Sequence, residues 1–426
     1  DDWVNGLLID DTNIEIPISA RLKGDYLDHL SNNKWSFRVK TKGEKLWNGL
    51  KSFSFQSPHT RAHLSEYVYH QMLIEADVLT PRYGFLRLTI NPLGGGIYAV
   101  EEHFEKYLVE SKNRREGPIL KLAEDGFWLG YKRQQDFYGD QMLGERMENA
   151  FWKSEIKPFK EARTNADSTL TKQYTVAQNM LFAFKYQAKK ASEVFDIDKL
   201  AQMYAIMDLN NAYHGKAWHN QRFYYNPVLS KLEPIGFDGY GDKPLPLDLP
   251  FMGYYFDPHR DFIPFYESPF LDSAFFRAYC KALNDRTNPD SVQLFFQKYD
   301  QLISDNERIL QSEYIGYEFD REMVFQKARK IQSLIKPYND ISLQVRTQAI
   351  IQEERQIEVY NKHCLPIDVV GYGITADRIS KELPIPVYVP QQVKGKPPLS
   401  IDLSIPEFAQ YLFFTLAGTD MVYSTP

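Results

Sequence analysis

Along WSFRVKTK, Trp35, Phe37 and Val39 alternate with Ser36, Arg38 and Lys40. That period of two predicts a half-buried strand with Arg38 and Lys40 on its polar face. Four more segments read as strands: IEIPISARLKG and LKSFSFQSP on either side, then RYGFLRLTI and GIYAVEEHF across the glycine-rich hairpin NPLGGG. Between the third and fourth strands the period lengthens. Leu64, Val68, Met72 and Ile74 predict a helix from His59 to about Ala76. The order is therefore strand, loop, strand, strand, helix, strand, strand.

From about Lys106 to Pro337 helical patterns dominate, among them DIDKLAQMYAIMDLNNAY with an acidic first turn suited to the helix dipole. They are interrupted by QRFYYNPVLSKLEPIGFDG, which predicts a hairpin turning at Pro227 to Ser230. After Pro337 the period returns to two, and RQIEVYN, LPIDVVGY, IPVYVP, LSIDLSI, QYLFFTL and DMVYST predict a terminal β-sandwich. The expected division is residues 1–105, β-rich; 106–340, mostly helical; and 341–426, the sandwich.

A chain of 426 residues exceeds one ordinary domain, and 43% hydrophobic with 25% charged residues marks a soluble globular protein. A net charge of −6 gives no reason to expect nucleic acid or an anionic membrane as partner. No apolar run approaches the ~18 residues that span a bilayer. Cys280 and Cys364 stand far apart without a disulfide or zinc pattern. The chain opens on Asp1-Asp2-Trp3 instead of Met, which reads as a piece from which any leader would be missing.

One feature calls for chemistry. The strand-like run Leu232 to Phe237 ends in Asp238, and Gly239, Tyr240, Gly241 and Asp242 follow at once. A turn alone accounts for Asp and Gly there, but four segments in order give the acid a precedent. RLKGDYLDHLSNNKWSFRVK, SPHTRAHLSEYVYHQM with Arg61, GGGIYAVEEHFEK with Glu102, and RFYYNPVLSKLEPIGFDGYG with Asp238 resemble the motifs of the CotH kinase family over roughly residues 10–340. The resemblance implies an α+β, two-lobed protein-kinase-like domain, ATP and Mg²⁺ as cofactors, and transfer of phosphate to a protein or surface-polymer acceptor. It also implies export, to the periplasm, the cell surface or outside. Two positions depart from the pattern. Phe237 and Tyr240 replace the Trp and second acid of Trp-Asp-x-Asp, and no Asp stands between Asn211 and the hairpin, where the family carries its acid-base residue.

Phosphoryl transfer requires cations on the phosphates, oxygen ligands for metal and a group orienting the acceptor. Lys34, Arg38 and Lys40 are candidates for the first role, with Lys51 a rival by analogy with the usual kinase lysine. Glu66 is the candidate partner of that lysine, and Glu102 the acid near the hinge. Asp238 and Asn220 are candidate Mg²⁺ ligands, with Asp242 as an alternative. His214 is the candidate general base and Asp208 a more distant acid, while Trp218 and His219 are read as packing residues. A nucleotide-binding pseudokinase and an aromatic-rich structural surface protein are the competing readings.

Overall fold

The computed structural model describes residues 2–23, 34–91, 94–138, 145–240 and 249–426; Asp242 lies outside them. Six antiparallel strands form the first sheet: β1 (Val4–Ile9), β2 (Glu15–Leu22), β3 (Phe37–Thr41), β4 (Ser52–Gln56), β5 (Tyr83–Ile90) and β6 (Gly94–Glu102), in the order β1-β2-β3-β4-β6-β5. The pattern predicted five of them. It missed β1, whose residues are nearly all exposed, because a strand that buries only Leu8 shows no apolar alternation.

Register divides the sheet into two unlike faces. Val39 sits opposite Ala20 and Phe53, and Phe55 opposite Val100. With Ile16, Ile18, Trp47 and Leu50 they build one apolar core. On the other face Arg38 lies between Arg21 and Ser54, and Ser54 is opposite Glu101. The remainder of that face, Tyr83, Phe85, Ile97 and Ala99, is apolar and joins the large core that also takes Leu64, Val68, Met72 and Leu73 from the helix Leu64–Glu75. One face is thus half covered by a helix and half polar.

The predominantly helical region includes a second antiparallel sheet that the pattern only partly anticipated. Its order is β10-β9-β7-β8, built from β7 (Ile119–Leu122), β8 (Ile156–Pro158), β9 (Arg222–Asn226) and β10 (Lys231–Ile235). The β9–β10 hairpin falls where predicted. Strands β7 and β8 were missed because at four and three residues they are too short to show a period.

Among the helices, Ile197–Asn210 is central. It begins on Asp196, whose side chain accepts from the Lys199 N–H, and its last ten residues from Ala201 are almost all buried. It packs on the helices Leu64–Glu75, Ser273–Arg286 and Arg321–Ile335. Beyond residue 340 lie two antiparallel sheets. One is β11 (Leu343–Ile351), β12 (Glu354–Asn361) and β15 (Ser400–Pro406); the other, in the order β14-β13-β16-β17, is built from β13 (Ile367–Gly373), β14 (Lys381–Val389), β16 (Tyr411–Leu416) and β17 (Val422–Thr425). Leu343, Ile357, Val359 and Ile405 from the first and Ile367, Val369, Leu412 and Phe414 from the second share a core. Arg277 Nη2 reaches Asp368 Oδ1 at 2.7 Å and Lys396 Nζ reaches Asp257 Oδ2 at 2.6 Å, which ties these sheets to the helical region. No helix among the described residues is long and apolar enough to cross a membrane.

Candidate functional site

Asp238 follows β10 in the left-handed conformation, at φ 56°. Asp tolerates that region better than most residues because its short side chain bonds locally. The chain then passes Gly239, where a Cβ would stand 2.8 Å from the Ala212 Cβ and 3.1 Å from the Tyr69 ring. No larger residue fits unless the packing shifts. The glycine is a packing requirement as well as a turn former.

The two N–H groups after the turn are held by Glu66. Its Oε1 accepts from Gly239 N and its Oε2 from Tyr240 N, both at 3.2 Å, and Oε1 also contacts His70 Nε2 at 2.9 Å. Glu66 is fully buried in the first turn of its helix. The expectation that it pairs with a phosphate lysine is corrected: its carboxylate is used on backbone and on His70. Tyr240, in place of the family's second acid, donates its hydroxyl to Asn210 O at 2.7 Å and braces the same turn.

Asp238 itself is 6% exposed and has cationic neighbours. Arg61 Nε lies 2.7 Å from its Oδ1, a contact ion pair in which the N–H does not aim at the oxygen. His214 Nδ1 lies 3.3 Å from the same oxygen and 3.1 Å from the Asp238 carbonyl. Burial pushes the Asp238 carboxyl up, but Arg61 and His214 outweigh it and hold the group below the usual carboxylate range. Burial likewise pulls His214 down, and the Asp238 charge reverses this, leaving it raised. The contact with the Asp238 carbonyl engages His214 at Nδ1, on the side of the ring facing the acid.

Asn220 completes the group. Its Nδ2 donates to His214 O at 3.1 Å, with His214 Nδ1 at 3.3 Å. His214, Asn220 and Asp238 are therefore brought together. Among the described residues, however, no three His, Cys, Asp or Glu side chains gather as a metal-binding group. Asp238 Oδ1 is in contact with Arg61, and the Asn220 amide nitrogen is committed to His214.

The remaining candidates separate by strand parity. Arg38 and Lys40 share the polar face, Arg38 contacting His103 Nδ1 at 2.7 Å and Lys40 lying 4.1 Å over the Trp3 ring. Glu102 falls on the opposite face, where Arg82 binds it at 2.6 Å through Nη2 and 3.0 Å through Nε. Its neighbour Glu101 takes the place expected of it, bonded to Lys23 at 3.0 Å and to Gln56 at 3.1 Å. Burial pushes Glu101 up, but Lys23 and Arg61 hold it down to about 2. Burial also moves Lys23 below its ordinary value despite Glu101. Since Gln56 Oε1 accepts from Lys23 at 2.8 Å, the charged pair is the form the geometry supports.

Lys34 and Lys51 are engaged elsewhere. Lys34 binds Glu313, beyond the helix Pro289–Gln311, and Ile97 O at 2.9 Å; Lys51 binds the carbonyl of Gly43. Trp218 and His219 pack as read, His219 stacking on Phe127 at 4.8 Å. Asp208 is buried among Tyr213, Tyr279 and Met252.

The model of the CotH kinase protein family matches residues 20–238, just over half of the chain, and ends on Asp238. The chain belongs to the CotH kinase family. No curated protein sequence matches it. The family match takes in Lys23, Arg61, Glu101, His214 and Asn220 as well as the acid. Of these, Lys23 and Glu101 were not singled out from the sequence, and Arg61 was noted without a role. The signal available for Glu101 was its parity with Arg38 and Lys40 across β3, β4 and β6.

Proposed function

We propose that this CotH-family chain is a two-lobed, kinase-like nucleotide-binding protein whose phosphate-binding groups are the basic side chains around Asp238. In this reading residues 1–105 and 106–340 are the lobes and 341–426 a β-sandwich docked on the second. One observation carries most weight: Glu66, from the helix beside the first sheet, grips the backbone immediately after Asp238, so both regions converge on one acid. Lys23 and Arg38, with Arg61, supply the positive charge that phosphate oxygens seek. The family's association with coats and surfaces supports placement outside the cytoplasm.

Phosphoryl transfer is the weaker part of the family's chemistry here. The family's acid-base Asp is absent, and its nearest substitute, His214, is engaged at Nδ1 with Asp238. The chain is accordingly a binder that transfers phosphate far more slowly than a kinase. A second reading, an active phosphotransferase toward a protein or surface polymer, is favoured by the contact between His214 and Asp238, because a loose transition state requires positioning and charge more than a base. Titration of the full chain with ATP, read by thermal shift, should give a saturable rise that adenosine does not. No rise would overturn nucleotide binding. Transfer from labelled ATP to surface extracts at ordinary kinase rates would establish the second reading instead.

A further inference from the structure

Magnesium binds oxygen at about 2.0–2.1 Å and keeps most of its water, so a protein site for it needs an accessible anionic oxygen that no other cation holds. At Asp238 the carboxylate is nearly enclosed, and its Oδ1 already has two cationic neighbours. Arg61 is buried beside it, with Nε 2.7 Å from Oδ1, on the turn Pro58–Arg61. The next two residues, Ala62 and His63, have φ of 50° and 53°, and Arg61 Nη1 donates to Thr60 O at 2.9 Å. The guanidinium is thus fixed by backbone geometry, not swung in from solvent. His214 Nδ1 approaches the same Oδ1.

Among the described residues, the two carboxylates that hold this turn and its cations are engaged. Both oxygens of Glu66 are taken by Gly239, Tyr240 and His70, and those of Glu101 by Lys23 and Gln56. Positive charge around the acid already comes from side chains: Asp238 feels Arg61, His214 and Lys23, and Lys23 feels Arg38 and Arg61. A divalent ion beside Asp238 would enter a field of its own sign, next to a buried guanidinium already in contact with the carboxylate.

We propose that Arg61 occupies the place beside Asp238 that a divalent cation would take, so that this protein binds the phosphates of a nucleotide without a metal ion. The inference rests on the nucleotide-binding reading above. The side-chain cations neutralise the phosphates, and Asp238 serves to hold Arg61 and His214 in position.

The test is calorimetry of the full chain with ATP in excess EDTA and in excess MgCl₂, with MnCl₂ alone titrated as a separate probe. The wild type should bind ATP with affinities within threefold in the two buffers and take up no Mn²⁺. In Arg61→Gln the freed carboxylate should bind Mn²⁺, and Mg²⁺ should then tighten ATP at least tenfold. Arg61→Lys, which keeps the charge, should behave as the wild type, and it carries the comparison if Arg61→Gln does not fold. Wild-type ATP binding that appears only with Mg²⁺ would overturn the inference and leave nucleotide binding standing. Absence of ATP binding in both buffers would overturn both.

Discussion

Two buried acids, Asp238 and Asp208, lie in neighbouring parts of the same core region and behave oppositely. Asp208 is inside a helix and completely enclosed, accepting from Tyr213 Oη at 2.9 Å, Met252 N at 2.9 Å and Tyr279 Oη at 2.7 Å. All three donors are neutral. Burial dominates, and its carboxyl is pushed up to about 6 despite them. Asp238, nearly as enclosed, has a guanidinium and an imidazole for neighbours and is held below the ordinary range. Depth alone therefore does not set the charge of a buried acid; the charge of its partners does. Asp208 joins helices together, whereas Asp238 organises cations.

The strongest way to break this contrast is to remove the cation. Arg61→Gln takes away the chief cationic neighbour of Asp238, leaving His214 beside it, and moves it toward the state of Asp208. The expected loss at pH 7 is about 3–5 kcal/mol, the cost of stranding one member of a buried pair. Because the carboxyl's pKa should then rise from its wild-type value, the deficit should shrink as pH falls and Asp238 takes a proton. Urea denaturation at pH 5 and pH 7 measures both. An equal loss at the two pH values would show that Asp238 is not what suffers.

Asp208 gives the next effect through pH alone. Its folded pKa, about 6, lies above the ordinary 3.8. Between these values the folded protein holds a proton that the unfolded chain has released, so stability falls as pH rises from 4 to 6. The fall attributable to this group is about 3 kcal/mol, and the advantage is fully present only below the unfolded value. Asp208→Asn should remove that slope from a stability–pH profile. Asp238, with its folded pKa depressed, contributes the opposite trend: stability present above the unfolded value and lost in stronger acid. A profile unchanged by Asp208→Asn would count against the raised pKa. Tyr279→Phe is milder: it deletes one of three donors, costs about 1–3 kcal/mol, and should extend the Asp208 slope above pH 6.

How much of this could be read from the chain follows the same division. The hairpin, Asp238 and the pairing of His214 with Asn220 lie within a few dozen residues, where short-range pattern and family motifs are informative. Arg61 reaches Asp238 across 177 positions, and nothing local announces which buried acid a distant arginine will meet. Strand β1 and the short strands β7 and β8 escaped because they lack enough buried alternating positions to give a period. The error at Glu102 is of another kind. Two adjacent glutamates end β6, and the motif fell on the second, while the period of two placed the first toward Arg38 and Lys40.

That one-residue difference sets up the smallest effect, and it compares the two faces of the sheet directly. Glu102 is buried but its partner Arg82 is one-third exposed, and the Arg82 N–H would still donate to an amide oxygen there. Glu102→Gln should therefore cost only about 1 kcal/mol and leave ATP affinity unchanged, since the apolar core of the sheet separates it from Asp238. Glu101→Gln changes the polar face. It removes the negative charge that offsets Lys23 and Arg61, while the amide still accepts from Lys23. Freed of that charge, the basic groups should hold phosphate more tightly, by roughly threefold. Calorimetry of the two variants with ATP separates the faces. If Glu102→Gln alters affinity and Glu101→Gln does not, the nucleotide lies on the other side of the sheet and the basic groups around Asp238 are structural.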